Sequence, residues 1–200
     1  MENNEKSDFD KRKGSKNKAV FLDRDGTLIV DKIYSCKIGE IEILPGVIEG
    51  LRNLQSKGYL LIVITNQSGI ARGIFTENEL LEFNFYLTKF FDEQGIHLTK
   101  VYYCPHHPKG SLHKYTVNCD CRKPRTKLFW DAVREYNIEL NESYAVGDRL
   151  RDCSICFESL CKGIVIGDNS MNYNCYKGSI YKCNNFKEAV EYIAREYYVW

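Results

Sequence analysis

The stretch Lys18–Leu28, KAVFLDRDGTL, constrains this chain more than any other. Four apolar residues lead directly into two carboxylates one residue apart, followed by Gly-Thr. Ala19-Val20-Phe21-Leu22 has the length and composition of a buried parallel strand, which puts Asp23 and Asp25 at its carboxyl end. That end is where open α/β sheets bind ligands. Strand alternation aims both acids to one side, and Gly26 lets the backbone turn sharply beside an ion or phosphate. Asp-x-Asp-Gly also opens calcium loops, but such a loop needs further oxygen ligands ending in a Glu, and Thr27-Leu28-Ile29-Val30 supplies none.

A parallel strand needs crossover helices and further strands, and the chain supplies both in alternation. After Pro45-Gly46, Val47, Ile48, Leu51 and Leu54 recur at helical spacing, and Gly58 ends the pattern. Tyr59–Ile64 is a second apolar run, ending in Thr65-Asn66-Gln67-Ser68-Gly69. Thr76 and Glu79 form a capping box for a helix that runs to about Gln94, with Gly95 at its end. Val101–Tyr103, Ser143–Val146 and Gly163–Ile166 read as strands, and Leu128–Tyr136 and Ala189–Tyr197 as helices. A further helix is expected after Asp148, whereas residues 170–184 are polar and tyrosine-rich without a periodic signal. The pattern predicts one α/β domain over 18–200: a doubly wound, mainly parallel sheet with helices on both faces. Only about twenty residues separate the first strand end from the next helix, too few for a large cap domain. Residues 1–17 mix acids and bases almost without apolar residues and read as a disordered tail.

With a net charge of +1 and no basic stripe, no nucleic-acid partner is expected. No apolar run approaches the ~20 residues of a membrane span, and the N-terminus lacks the hydrophobic region of a secretory signal. A cytoplasmic monomer is the expectation. In that reducing setting nine cysteines are metal ligands or buried thiols rather than disulfides. Cys104-x-His106, twelve intervening residues and Cys119-x-Cys121 offer three thiolates and an imidazole, the set that zinc takes tetrahedrally, with His107 as a competing imidazole. The loop has too few apolar side chains to fold itself, and a closed four-ligand site would serve structurally, fixing Arg122 and Lys123 just beyond it. Cys153-x-x-Cys156 has redox spacing but lies within the helix expected after Asp148; it reads as core, as do Cys36, Cys161, Cys175 and Cys183. Phe83, Phe90 and Phe91 read as helix core, with Phe85 on the exposed side.

Four chain segments thus bring polar groups to one end of the sheet: Asp23 with Asp25, Thr65, Arg122-Lys123, and Gly147-Asp148. Two carboxylates plus a third on another strand suit Mg²⁺, which takes oxygen ligands. A hydroxyl and an ammonium suit a phosphate. Asp152, four residues after Asp148, is either a partner behind the metal site or an N-cap for the next helix.

The order Asp-x-Asp-Gly-Thr, strand-end Thr, Lys, Gly-Asp resembles the four motifs of the haloacid dehalogenase superfamily of phosphatases. FLDRDGT (Phe21–Thr27), TNQSGIARG (Thr65–Gly73), the CPHHP…CDCRKP loop (Cys104–Pro124) and VGD (Val146–Asp148) are similar to those of its heptose 1,7-bisphosphate phosphatases, over roughly residues 18–167. The resemblance implies a Rossmann-like fold and an Mg²⁺-dependent phosphatase removing the 7-phosphate, in the synthesis of ADP-heptose for lipopolysaccharide core. It implies that Asp23 is the nucleophile, forming an aspartyl-phosphate, and Asp25 the general acid and then base. Mg²⁺ would sit on the Asp23 and Asp148 carboxylates and the Asp25 carbonyl, and zinc on Cys104, His106, Cys119 and Cys121. Thr65 and Lys123 would hold the phosphoryl group; Asp31, Tyr34, Asn66, Gln67, Ser68, Arg122 and Arg149 would contact a small phosphosugar. Ile29 and Ile33 stand where the family has Asn and Gly, Arg125-Thr126-Lys127 replaces its Pro-Gly, and Arg149 replaces its Lys. Histidinol-phosphate phosphatase, a nucleic-acid 3′-phosphatase and a non-catalytic zinc-stapled binding protein are the alternative readings.

Overall fold

Period-two alternation along the first strand decides how the two faces of the sheet are filled. In the computed structural model, which describes residues 16–167 and 180–197, β1 spans Ala19–Leu22 and every one of its residues is buried. Val20 and Leu22 pack into one apolar cluster, Ala19 and Phe21 into another on the opposite face. The other strands are β2 (Leu60–Asn66), β3 (Leu98–Cys104), β4 (Tyr144–Gly147), β5 (Lys162–Ile166) and β6 (Ile180–Cys183). They form one six-stranded sheet in the order β3-β2-β1-β4-β5-β6, and every neighbouring pair is parallel. The order reverses at β1, so the crevice beyond the carboxyl ends of β1, β2 and β4 is where such a sheet binds ligands.

Helices α1 (Val47–Ser56), α2 (Glu77–Glu93) and α4 (Phe186–Tyr197) cover one face. Leu51, Leu87, Phe91 and Ile193 meet Val20 and Val63 there. The expected capping box holds α2: the Thr76 hydroxyl accepts from Glu79 N at 3.2 Å, and the Glu79 carboxylate accepts from Thr76 N at 2.6 Å. Helix α3 (Lys127–Tyr136) covers the other face together with a 3-10 helix over Leu150–Phe157.

Several boundaries move. The strand expected at Val101–Tyr103 extends over all of β3, and β4, β5, α3 and α4 begin one to three residues away from the predicted starts. The segment after Asp148 is a 3-10 helix kinked at Cys153 rather than an α-helix. Cys153, Cys156, Cys161 and Cys183 are buried, Cys36 is half-buried, and Cys175 lies outside the described residues. β6 closes the sheet from within the stretch that gave no periodic signal. Lys16 and Asn17, placed in the tail by their composition, are tied to the end of α3. Asn17 N donates to Asn137 O at 2.9 Å and Lys16 pairs with Glu139 at 2.5 Å. The remainder of the expected tail, residues 1–15, lies outside the described residues.

Phe21 and Phe129 join β1 to α3 by an edge-to-face contact, with ring centroids 5.4 Å apart and each residue 1% exposed. Phe129→Ala is expected to lower unfolding stability by about 3–5 kcal/mol in urea titrations. Phe85→Ala, at a side chain exposed to solvent, should move it by less than about 0.5 kcal/mol.

Candidate active site

The end of β1 is fixed by a backbone bond from Asp23 N to Val146 O of β4 at 2.9 Å. Gly26 follows with φ +83°, and a Cβ there would stand 2.8 Å from Asp148 Oδ2, so the close approach of Asp148 requires glycine. Gly147 has the same role for Asp152, whose Cβ would lie 2.2 Å from any Cβ added at Gly147. The result is a trio: carboxylate oxygens of Asp23, Asp148 and Asp152 lie within 4.8 Å of one another. Asp152 is not the N-cap, which is Arg149, but the third helical residue reaching back to it, and it also joins the carboxylate trio. One oxygen accepts from Arg149 N at 3.0 Å, and the other pairs with Lys123 at 2.7 Å.

Lys123 carries the positive charge of this cluster. Its Nζ reaches Asp23 Oδ1 at 2.6 Å, Ile64 O at 2.6 Å and Asp152 Oδ1 at 2.7 Å, and the residue is buried. Asn66 grips its backbone from both sides: Nδ2 donates to Lys123 O at 3.1 Å, and Lys123 N donates to Asn66 Oδ1 at 3.0 Å. Asn66, expected to touch substrate, thus has its amide engaged in holding Lys123. Burial works against the Lys123 charge, but Asp152 and Asp23 more than offset it and raise its pKa. One ammonium does not balance three carboxylates. Burial, followed by repulsion from Asp152 and Asp25, outweighs Lys123 and raises Asp23 from 3.8 to about 7. Burial and Asp152 raise Asp148 as well. Excess negative charge in three converging carboxylates, all hard oxygen donors, fits a divalent cation such as Mg²⁺.

Asp25 turns away from this trio toward Gln67 and Arg24. Gln67 Nε2 donates to Asp25 Oδ2 and to Thr65 Oγ1, each at 2.8 Å. Because Thr65 accepts from Gln67, its own hydroxyl proton is free to donate into the crevice. A cavity of about 350 Å³ opens over these groups and is lined by the predicted Asp31, Tyr34, Ser68, Arg122 and Arg149. Arg149 spans it, 3.4 Å from Asp148 and 3.9 Å from Asp31. Ile33 and Tyr34 at its rim have φ of +46° and +61°. Ile33 therefore adopts the left-handed conformation open to glycine without strain, and this costs a β-branched residue about 1–2 kcal/mol. Ile29 is 3% exposed and belongs to the core.

The cysteine loop brings its ligands together. Cys121 Sγ lies 3.0 Å from Cys104 Sγ, 3.3 Å from Cys119 Sγ and 3.2 Å from His106 Nδ1. Such spacings approach the ~3.7 Å edges of a tetrahedron with zinc–sulfur bonds of ~2.3 Å. The hydrogen bond that Cys104 and Cys121 share lowers the Cys121 thiol and raises that of Cys104, so one of the pair gives up its proton before the other; a metal requires the thiolate. His107 is engaged elsewhere, accepting from Lys109 N at 3.0 Å and lying 3.3 Å from Arg72. Arg122 ties the loop to the cavity by donating to His106 O at 3.3 Å.

Several residues of the site escaped the sequence reading, Ser35 and Glu40 of the cavity lining among them. Arg24 was the spacer between two acids, yet it is 1% exposed and bonds to Asp25. Asn84 holds Arg24, and its signal was available: an amide on the apolar stripe Leu80, Phe83, Leu87, Phe91 of α2. Arg151 lines the cavity from the 3-10 helix.

Comparison with known proteins agrees with this geometry. The polynucleotide kinase 3 phosphatase family model matches residues 18–153. A D-glycero-beta-D-manno-heptose-1,7-bisphosphate 7-phosphatase of Haemophilus ducreyi is 47% identical over 136 residues, covering 68% of this chain and 74% of that protein. The enzyme of the same name from Escherichia coli K12 is 43% identical over 134 residues, covering 67% and 70%. Among solved structures, the D,D-heptose 1,7-bisphosphate phosphatase of B. bronchiseptica, complexed with magnesium and phosphate, superposes with a TM-score of 0.74 at 27% identity, covering 90% of this chain and 99% of that one.

Three outcomes follow from the charge and thiol clusters. A cation must displace the proton of Asp23 below about pH 7, so Mg²⁺ affinity should fall by up to about tenfold per pH unit below that point in calorimetric titrations. Without cation, the folded state binds this proton more tightly than the unfolded chain between pH 3.8 and about 7, so the group's contribution destabilises as pH rises through that window. Added Mg²⁺ should accordingly raise Tm more at pH 8 than at pH 5.5. Cys121→Ser should lose bound zinc by atomic absorption and lower kcat at least about tenfold, since the segment carrying Lys123 loses its anchor.

Proposed function

The chain belongs to the family described by the polynucleotide kinase 3 phosphatase model and, through relatives above 40% identity, to the heptose 1,7-bisphosphate 7-phosphatases of the haloacid dehalogenase superfamily. From that premise we propose that it removes the 7-phosphate of D-glycero-D-manno-heptose 1,7-bisphosphate through an aspartyl-phosphate on Asp23. The observation that carries the chemistry is the buried contact of Lys123 Nζ with Asp23 Oδ1 at 2.6 Å. It puts a fixed cation beside the one carboxylate that heads β1, where a phosphoryl group must gather positive charge to accept a negative nucleophile.

Asp23 attacks phosphorus while Asp25 delivers a proton to the departing sugar oxygen. Asp25, now a carboxylate, then takes a proton from the water that attacks the aspartyl-phosphate, releasing phosphate and restoring Asp23. The Thr65 hydroxyl holds a transferring oxygen, and Lys123 holds another by exchanging one of its present oxygen partners for it. The Asp23 and Asp148 carboxylates and the Asp25 carbonyl would hold Mg²⁺, which would supply further positive charge against those oxygens. Cys104, His106, Cys119 and Cys121 would hold a structural zinc that keeps Arg122 and Lys123 in register with β1. Asp31, Tyr34, Gln67, Ser68, Arg122 and Arg149 face the rest of the phosphosugar. The cavity lining carries acid and hydroxyl groups (Asp31, Ser35, Glu40) as well as guanidinium groups (Arg122, Arg151), which suit a ligand with both sugar hydroxyls and a second phosphate. The same reading makes the protein a cytoplasmic monomer with no nucleic-acid or membrane partner; no helix among the described residues is long and apolar enough to cross a membrane.

The family model's own description keeps a nucleic-acid 3′-phosphatase as the second reading. Turnover on heptose 1,7-bisphosphate, histidinol phosphate and 3′-phosphorylated DNA separates the cases. The heptose compound should show the highest kcat/KM, with release dependent on Mg²⁺ and abolished by Asp23→Asn. Faster turnover of histidinol phosphate or of the DNA end would overturn the substrate assignment.

A further inference from the structure

Arg24 is the largest fully buried side chain of the described residues, and its contacts converge on the proton carrier. Its Nε lies 3.2 Å from each oxygen of Asp25, and its Nη2 lies 3.1 Å from both. On the far side, Nη1 donates to Asn84 Oδ1 at 3.0 Å, and the guanidinium plane sits 4.6 Å from the centre of the Phe83 ring. Phe83 and Asn84 are adjacent buried residues in the middle of α2. Among the described residues Asp25 is the only carboxylate paired with Arg24. A buried guanidinium is stable only when its charge and its N–H groups are met, so the helix, the arginine and the acid form one unit.

We propose that Arg24 is a positioning residue for Asp25, and that α2, through Asn84 and Phe83, sets the direction in which Asp25 passes its proton. The proposal rests on the reading of Asp25 as general acid and base. Nε and Nη2 of Arg24 and Nε2 of Gln67 are all donors to Asp25 and offer it no acceptor, so they hold its carboxyl group without taking a proton from it. The leaving oxygen that arrives in the cavity is then the group left to receive that proton. Asp25 itself lines that cavity and its side chain is 27% exposed. Two N–H groups of one guanidinium, each placed equally against both oxygens, hold the carboxyl group at two points, which a single ammonium cannot do. Arg24→Lys keeps the charge and removes the second donor.

The test separates proton delivery from general damage. An alkyl phosphate such as heptose 1,7-bisphosphate needs a proton on its leaving oxygen, whereas 4-nitrophenolate leaves without one. In rapid-quench experiments with Mg²⁺, Arg24→Lys should slow phosphoenzyme formation from the sugar phosphate by about 30-fold or more. It should slow the first release of 4-nitrophenolate by less than about fivefold, followed by a slow steady state because Asp25 also serves the second step. Asn84→Ser, which leaves Arg24 in place and loosens it, should show the same asymmetry at smaller size and decides the matter if Arg24→Lys does not fold. Equal losses on both substrates, or wild-type rates in the variants, would overturn the proposal and leave Arg24 as a structural ion pair. Asp25→Asn serves as the control: if it retains wild-type turnover of the sugar phosphate, the reading of Asp25 as proton carrier fails, whatever the Arg24 variants do.

Discussion

The buried ammonium of Lys123 is the contact on which the rest of this site depends. It meets the end of β1 at Asp23, the end of β2 at the carbonyl of Ile64, and the 3-10 helix after β4 at Asp152. Three separate chain segments are therefore tied through one charge that has no access to water. Such a charge is tolerated only because every donor has an oxygen partner, and because the acids around it outnumber it. The residues that hold Lys123 are accordingly rigid: Asn66 clamps its backbone, and the cysteine loop anchors the residue before it.

Around that ammonium the site is built with a deliberate imbalance of charge. Asp23, Asp148 and Asp152 crowd together because two glycines, Gly26 and Gly147, leave the space a Cβ would fill. The surplus of negative charge and the burial raise the proton affinity of Asp23, so the free protein favours whatever brings positive charge into the crevice. Asp25 stands apart from this crowd with its own buried cation, Arg24. Two carboxylates one residue apart thus have different surroundings: Asp23 stands among other acids beside Lys123, and Asp25 beside a buried guanidinium.

Much of this was legible in the chain, and the particular residues show why. Asp23, Asp148 and the four zinc-type ligands were readable because strands of fixed period end in polar residues and because metal-ligand spacing is a local property. The choice between His106 and His107 was not, since either imidazole satisfies the spacing; the structure brings His106 to the three thiols and engages His107 with Lys109 N and Arg72. Asn66, read as a substrate contact, lines the cavity and also clamps Lys123, a partner 57 residues away along the chain and beyond any local pattern. β6 was invisible because an edge strand of four residues, two of them exposed, carries too little alternation to stand out.

From its sequence alone, this chain is determined to be an α/β domain with acids, a hydroxyl and an ammonium at the ends of parallel strands, beside a loop built to be stapled by metal. Those properties follow from periodicity and residue chemistry, which act over a few residues. The tertiary structure decided which of those groups touch. It placed Lys123 between Asp23 and Asp152, gave Asp152 both a capping and a pairing role, and turned the spacer Arg24 inward onto Asp25 and Asn84. The reason is physical: a buried charge is stabilised by partners brought from distant segments, and only the packed sheet and its helices fix the distances between them.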